Sequence, residues 1–116
     1  MKPAAPRLRF SQLSTPRKRL VRRCQVINYG YIERLEVKNS EPIFNLETLV
    51  CVEIKLDLDD CARPEVDLTD FVLPDEVSRL MARLDQIQNG VIDKLEVRAG
   101  IPRRLLFSSP PAGVLR

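Results

Sequence analysis

The chain has 116 residues, a net charge of +3 and no histidine. The length predicts one domain, and the absence of histidine removes the commonest general base and metal ligand. No window approaches the roughly 18 to 20 apolar residues of a membrane helix, and the start lacks the pattern of a secretory signal. We therefore expect a cytoplasmic protein. The three cysteines form no C-x-x-C pair, so we expect reduced thiols.

The first 26 residues are strongly basic and predict an arm followed by a helix. They contain eight cations and no acid: Lys2, Arg7, Arg9, Arg17, Lys18, Arg19, Arg22 and Arg23. We predict a basic flexible arm over residues 1–14, where prolines disfavour regular structure. Thr15 is placed to cap the following helix, with Pro16 at the first helical position. The apolar residues of this helix recur at helical spacing: Leu20, Val21, Cys24 and Ile27.

The middle of the chain predicts strands and an acidic loop. Gly30 is expected to close the first helix in the left-handed conformation, and a strand, a turn over residues 39–42 and a returning strand at residues 43–44 follow. Residues 49–58 show the cleanest alternation of apolar and polar side chains in the chain, which predicts a strand over the whole segment. Residues 59–73 are then expected to form an acidic loop, since residues 53–76 carry nine acids against Lys55 and Arg63.

A second helix, strand and turn follow the acidic loop. Pro74 and the acids Asp75 and Glu76 suit a first helical turn, and Gly90 is expected to close the helix. The apolar stripe of this helix consists of Val77, Leu80, Met81, Leu84 and Ile87. The strand after it is expected to alternate, with Val91, Asp93, Leu95 and Val97 on one face. A turn over residues 99–102, a strand at residues 105–107 and a flexible tail over residues 108–116 complete the prediction.

The two helix-and-hairpin segments repeat at an offset of 60 residues. Residues 27–42 and 87–102 align without a gap, and seven of the 16 positions are identical. We therefore predict an α+β fold made of two tandem α-β-β repeats, in the order α-β-β-β-α-β-β, within a single duplicated domain over residues 15–107. An antiparallel sheet with both helices on one face, related by a pseudo-twofold axis, would bury the apolar stripe of each helix.

The repeated phrase also resembles a known family. Residues 77–107, and less closely 17–44, contain a helix, then Asn-Gly or Tyr-Gly, then a phrase of the form I-x-x-L-E-V. This arrangement resembles the YezD-like small bacterial proteins, short chains with a helix and a glycine-led hairpin. Ile27–Leu35 and Glu41–Phe44 are similar to phrases found in other short bacterial proteins. The resemblance implies a fold and no activity.

The basic N-terminal segment is the main candidate for a binding site. Cations in this density can contact phosphates and release counterions from nucleic acid. The residues expected to do so are Arg7, Arg9, Arg17, Lys18, Arg19, Arg22 and Arg23. Phe10 is the only aromatic in the arm, so stacking on bases is not indicated. The sequence therefore predicts a small non-enzymatic binding protein that is nucleic-acid-associated or regulatory. The alternative is a protein-interaction or self-assembly module, a homo-oligomer included, that pairs the basic arm with the acidic loop.

Other candidate sites have weaker patterns. The acidic segment around Asp57 lacks the spacing and the glycine of a calcium loop. Cys51 lies in an alternating strand with no histidine in the chain to activate it as a nucleophile. Glu36 and Glu96 are equivalent by the repeat, but strand-surface glutamates usually pair with Lys or Arg. We expect no enzyme activity, no metal, no cofactor, no small-molecule substrate and no membrane contact.

Overall fold

The computed structural model describes residues 8–57 and 68–108. Its elements are a 3-10 helix at Phe10–Gln12, then α1 (Thr15–Ile27), β1 (Gly30–Lys38), β2 (Glu41–Ile43), β3 (Leu49–Val52), α2 (Asp75–Ile87), β4 (Gly90–Arg98) and β5 (Ile101–Leu106). Two helices and one antiparallel five-stranded sheet confirm the predicted α+β class.

The sheet is built around the antiparallel pair of β1 and β4. β5 lies beyond β4, and both β2 and β3 pair with β1 along its other edge. β2 pairs with residues 36–38 of β1 and β3 with residues 30–33, so β2 and β3 lie end to end. The two edges of the sheet are therefore β2 with β3 on one side and β5 on the other.

The β1–β4 pairing has the same register seen from either strand. Gly30 lies opposite Val97, and Val37 lies opposite Gly90. When each residue is replaced by its equivalent in the other repeat, 60 positions away, the first pair becomes the second. Backbone hydrogen bonds follow the same rule. The Asn28 carbonyl accepts from the Gly100 N–H at 2.9 Å, and the Gln88 carbonyl accepts from the Ser40 N–H at 2.8 Å.

The helix ends differ from the prediction that glycine closes them. Each helix ends three residues before its glycine, and the positive φ falls on Asn28 (63°) and Gln88 (61°). The Tyr29 N–H donates to the Ile27 carbonyl at 2.7 Å, and the same bond recurs after α2. These bonds between residues i and i+2 define a γ-turn. The γ-turn changes the chain direction before the glycine, which becomes the first residue of the strand.

The helices begin close to their predicted starts and bury their predicted stripes, except that Ile87 is half-buried. The cap of α1 is Ser14 rather than Thr15, since the Ser14 side chain accepts from the Arg17 N–H at 3.4 Å. One core lies between the sheet and the two helices, and Leu20, Ile32, Leu84 and Ile92 are fully buried in it. Burial of these aliphatic side chains is the main source of stability in a domain of this size.

The two long strands do not alternate as expected. The buried residues are Ile32, Leu35 and Val37 in β1, and Ile92, Leu95 and Val97 in β4. A step of three residues therefore separates the first two buried positions of each strand. The β1–β4 ladder omits Arg34 and Asp93, and Arg34 has a φ of 55°. The interrupted ladder lets each strand change the face that it buries, which the prediction from strict alternation missed.

The alternating segment at residues 49–58 forms a shorter strand than predicted. β3 ends at Val52, residues 53–55 lie outside the ladder, and Leu56 and Asp57 form a turn. β1 begins at Gly30, which pairs with Val52, so the partner strand ends there. Leu58 and the first part of the predicted acidic loop, residues 59–67, lie outside the described residues.

The second half of the predicted arm packs against the domain. Phe10 and Leu13 are buried. The Phe10 N–H donates to the Phe71 carbonyl at 2.8 Å, and the Leu73 N–H donates to the Leu8 carbonyl at 2.9 Å. Residues 8–13 therefore lie along the segment that leads into α2. Residues 1–7 of the predicted arm and 109–116 of the predicted tail lie outside the described residues.

Candidate nucleic-acid interface

Arg9 pairs with the acidic segment of its own chain. Its Nε lies 2.8 Å from Oδ2 of Asp70, and the Ser11 N–H donates to Oδ1 of Asp70 at 2.9 Å. The Arg9 hydrogen bond is the main cause that lowers the pKa of Asp70 to about 2. The basic arm and the acidic loop therefore meet within one molecule at this point.

The side chain of Arg17 extends from α1 to the first hairpin and to the end of α2. Its Nε is 3.0 Å from Oε1 of Glu41, and its Nη2 is 2.5 Å from Oδ1 of Asp85 and 2.9 Å from the Ser40 carbonyl. Only 16% of the side chain is exposed. This residue occupies the position of the buried Val77 in the other segment, and two carboxylates compensate its charge. Its contacts are structural.

Arg22 is also held by the fold. Its guanidinium lies 4.3 Å from the ring centroid of Phe10 and 5.5 Å from that of Phe71. It donates to Oε1 of Gln25 at 3.0 Å and to the Leu68 carbonyl. This cation covers the stacked Phe10 and Phe71 rings, where a cation–π contact is favourable.

The remaining predicted cations of α1 are wholly or partly exposed. Arg19 and Arg23 are exposed, and Lys18 is half-buried with its Nζ 5.9 Å from the Phe10 ring centroid. The Arg23 guanidinium lies 5.8 Å from the ring centroid of Phe44, which follows β2. With the other described residues, Arg19 and Arg23 form no ion pair. Arg7 lies outside the described residues.

The second helix carries arginines at the same two positions. Arg79 and Arg83 are offset by 60 residues from Arg19 and Arg23, and both are exposed. Arg83 donates to Oε1 of Gln86 at 2.9 Å. We call Arg19, Arg23, Arg79 and Arg83 the helix arginines. The prediction from sequence missed the pair on α2, because acids in the same helix conceal it in a charge count. The repeat alignment contains the signal that could have found it.

A shallow cleft between α2 and β5 extends the arginine pair of α2. Its volume is about 150 Å³, and its charged lining consists of Glu76, Arg79, Arg83, Arg103 and Arg104. Nη1 of Arg103 lies 2.6 Å from Oε2 of Glu76. Arg104 lies opposite Glu96, in the sheet row that faces away from the helices, so one acid accompanies three arginines on the helical side. Arginines separated by some 20 residues in the chain form one cationic site, which can bind the oxygens of a phosphate group.

The two arginine pairs lie near opposite edges of the sheet. Arg23 is beside Phe44 at the β2 edge, whereas Arg83 lines the cleft beside β5. The Arg17–Asp85 contact joins the start of α1 to the end of α2, so the helices run antiparallel on the sheet. The arrangement places a cationic site at each side of the helical layer.

The described structure places the three catalytic candidates, Cys51, Glu36 and Glu96, in the sheet. Burial raises the pKa of the Cys24 thiol to about 12. Cys51 lies opposite Tyr31 in the sheet, and their hydrogen bond is the first cause that raises the pKa of Tyr31. Glu96 lies opposite Tyr31, whereas Glu36 lies opposite Val91 near the other end of the β1–β4 pair. The two glutamates are therefore not brought together. Cys61 lies outside the described residues.

Within residues 8–57 and 68–108, no group of three or more cysteine or acidic side chains could hold a metal ion. Neither α1 nor α2, the α-helices of the described part, has the length and apolar character needed to cross a membrane. No family model, curated protein or solved structure matches the chain.

Proposed function

We propose that this protein binds nucleic acid, and that the helix arginines contact the phosphates. The observation that supports the proposal is the presence of two exposed arginines at equivalent positions of each helix, with Arg103 beside the second pair. Exposed guanidinium groups bind phosphate oxygens and release the counterions that surround a polyanion.

An extended polyanion fits the arrangement better than a small anion does. The cationic sites lie near opposite edges of the sheet, so a ligand that engages both must extend across the helical layer. A nucleic acid has this length and carries a phosphate at every nucleotide. The antiparallel helices also present their arginines in a twofold pattern, which suits the two antiparallel strands of a duplex.

Phosphate contact is the proposed mode because aromatic side chains are scarce on the helical side. Phe10 and Phe71 stack on each other at 5.0 Å beneath Arg22, so their faces are occupied. Tyr31 lies in the sheet row with Cys51 and Glu96, on the side opposite the helices. Binding through phosphates positions a protein on nucleic acid and carries little sequence information. We therefore propose a non-enzymatic protein with low sequence preference.

The alternative function, self-assembly through the basic arm and the acidic loop, has less support. Arg9 already contacts Asp70 of the same chain, and residues 8–13 pack along that segment. A neighbouring molecule would have to displace these contacts in order to pair in the same way. The intramolecular contact therefore competes with assembly of this kind.

The test is fluorescence anisotropy with a labelled duplex of about 20 base pairs, titrated with the full chain at low salt. We expect the variant R19E/R23E/R79E/R83E to bind about a hundredfold more weakly than the wild type, since each site loses two cations and gains two acids. Variants with R19E/R23E alone and with R79E/R83E alone should each show part of this loss.

The matched control is K38E/R98E. Lys38 and Arg98 are also equivalent by the 60-residue offset and are exposed, but they lie at the strand ends rather than on the helices. This control makes the same total change in charge as R79E/R83E. Equal losses of affinity for K38E/R98E and for R79E/R83E would overturn the proposal, because binding would then follow net charge alone.

A further inference from the structure

We infer that two copies of this chain associate through residues 52–56, each segment adding an antiparallel strand to the sheet of the other. The inference is independent of nucleic-acid binding, because it concerns the β3 edge and not the helices. It starts from the cleanest alternating segment of the sequence, whose second half has no partner strand in the described structure.

The segment exposes an apolar row. Val52 is 48% exposed, Ile54 67% and Leu56 96%. These three alternate with Glu53 and Lys55. They lie on one side when the chain is extended through Leu56, which forms a turn with Asp57 in the single chain and must become extended in the dimer. A row of exposed aliphatic side chains beside a strand edge is a site for pairing with another strand.

The backbone at this edge is available for a second strand. The Glu53 N–H donates to the Tyr29 carbonyl at 2.7 Å, so the N–H of Glu53 points toward β1. Successive residues of a strand direct their backbone groups to opposite sides. Val52 therefore directs its groups away from β1, and Ile54 would do the same in a strand continued through it. On that side β3 has no neighbouring strand among the described residues.

The sequence of the segment selects a second copy as the partner. In an antiparallel pair centred on Ile54, Ile54 faces its counterpart and Val52 faces Leu56, so the apolar row continues across the junction. Glu53 then faces Lys55 twice, once on each side of the centre. Opposite charges in such cross-strand positions are stabilising, and the pair is isologous, as expected for a twofold dimer.

Other pairings of the same segment are less favourable. A pair centred on Glu53 or on Lys55 places like charges opposite each other. A parallel pair aligned residue to residue does so at both positions. A shift by one residue places apolar side chains opposite charged ones. Among the antiparallel pairs centred within residues 53–55, the one centred on Ile54 combines apolar contacts with complementary charges.

The test is sedimentation velocity of the full chain from about 1 to 500 μM, with dissociation constants compared between variants. The wild type should shift from monomer to dimer over this range. E53K and K55E should each weaken dimerisation about tenfold, because each converts two attractive pairs into two repulsive ones. The double variant E53K/K55E should restore the affinity of the wild type, since it exchanges the charges and keeps them opposite each other.

Two further variants separate this surface from others. E47K makes the same charge change in the exposed loop before β3 and should leave dimerisation unchanged. I54P removes the central backbone donor and should abolish the dimer while the far-ultraviolet circular dichroism of the monomer is retained. A wild type that stays monomeric at every concentration would overturn the inference. So would a double variant that dimerises no better than the single ones, or an I54P chain that dimerises as the wild type does.

Discussion

Arg17 and Arg19 lie two residues apart on α1, but only Arg17 is committed to the fold. Arg17 contacts Glu41 and Asp85 with 16% of its side chain exposed, whereas Arg19 faces solvent. We expect Arg17→Met to lower the free energy of unfolding by about 2 kcal/mol, because it leaves two carboxylates without their cation. Arg19→Met should change it by less than about 0.5 kcal/mol. Urea unfolding followed by circular dichroism measures both, and equal midpoints would contradict the assignment of Arg17.

The contact between Asp70 and Arg9 should make the stability of the protein depend on pH in the acid range. Its pKa falls from 3.8 to about 2 in the folded chain, chiefly because Arg9 bonds to the charged form. A carboxyl whose pKa is lowered by folding stabilises the protein above its unfolded pKa, and this stabilisation is lost as the pH falls. The melting temperature of the wild type should therefore exceed that of Asp70→Asn near neutral pH. The gap should close between about pH 4 and pH 2. A gap that is constant from pH 7 to pH 2 would contradict the contact.

At the scale of the elements, Gly30 and Gly90 begin equivalent strands in different surroundings. A Cβ at Gly30 would lie 2.0 Å from the Cys51 carbonyl oxygen, whereas one at Gly90 would lie 3.3 Å from the Phe107 ring edge. We expect Gly30→Ala to lower the free energy of unfolding by about 3 kcal/mol, since β3 must move away. Gly90→Ala should cost less than about 1 kcal/mol, because a side chain can adjust. Chemical denaturation of both variants tests this, and similar losses would show that β3 does not approach Gly30 so closely.

The sequence predicted the helices better than the strands. Each helix has an apolar stripe of period 3.6, and a stripe depends on no distant partner. Strand length and sidedness depend on the neighbouring strand. β3 stops at Val52 because β1 offers no partner beyond Gly30, and the buried face changes where the ladder omits Arg34 and Asp93. Neither the end of β3 nor the change of the buried face is marked by the alternation of apolar and polar residues in the sequence.

At the scale of the whole molecule, the candidate site was predicted only in part. Arg19 and Arg23 follow from the basic composition of α1. The engagement of Arg9 and Arg17 depends on Asp70 and Asp85, which lie 61 and 68 residues further along the chain. Charge counting along the sequence assigns such residues to a solvent-facing arm or helix surface, because it cannot detect carboxylates that the fold brings to them. The duplication of an ancestral unit stays a prediction, although the pairing of β1 with β4 has the symmetry that such a unit would form as a homodimer.

The proposed contact between the helix arginines and phosphates has a direct thermodynamic signature. The most direct measurement is the slope of the logarithm of the duplex affinity against the logarithm of the salt concentration, for the wild type, R79Q/R83Q and R19Q/R23Q. Each lost phosphate contact lowers the magnitude of this slope by about one. We expect a reduction of about two for each double variant and of about four when they are combined. Slopes equal to that of the wild type in both double variants and in the combined variant would contradict this contact.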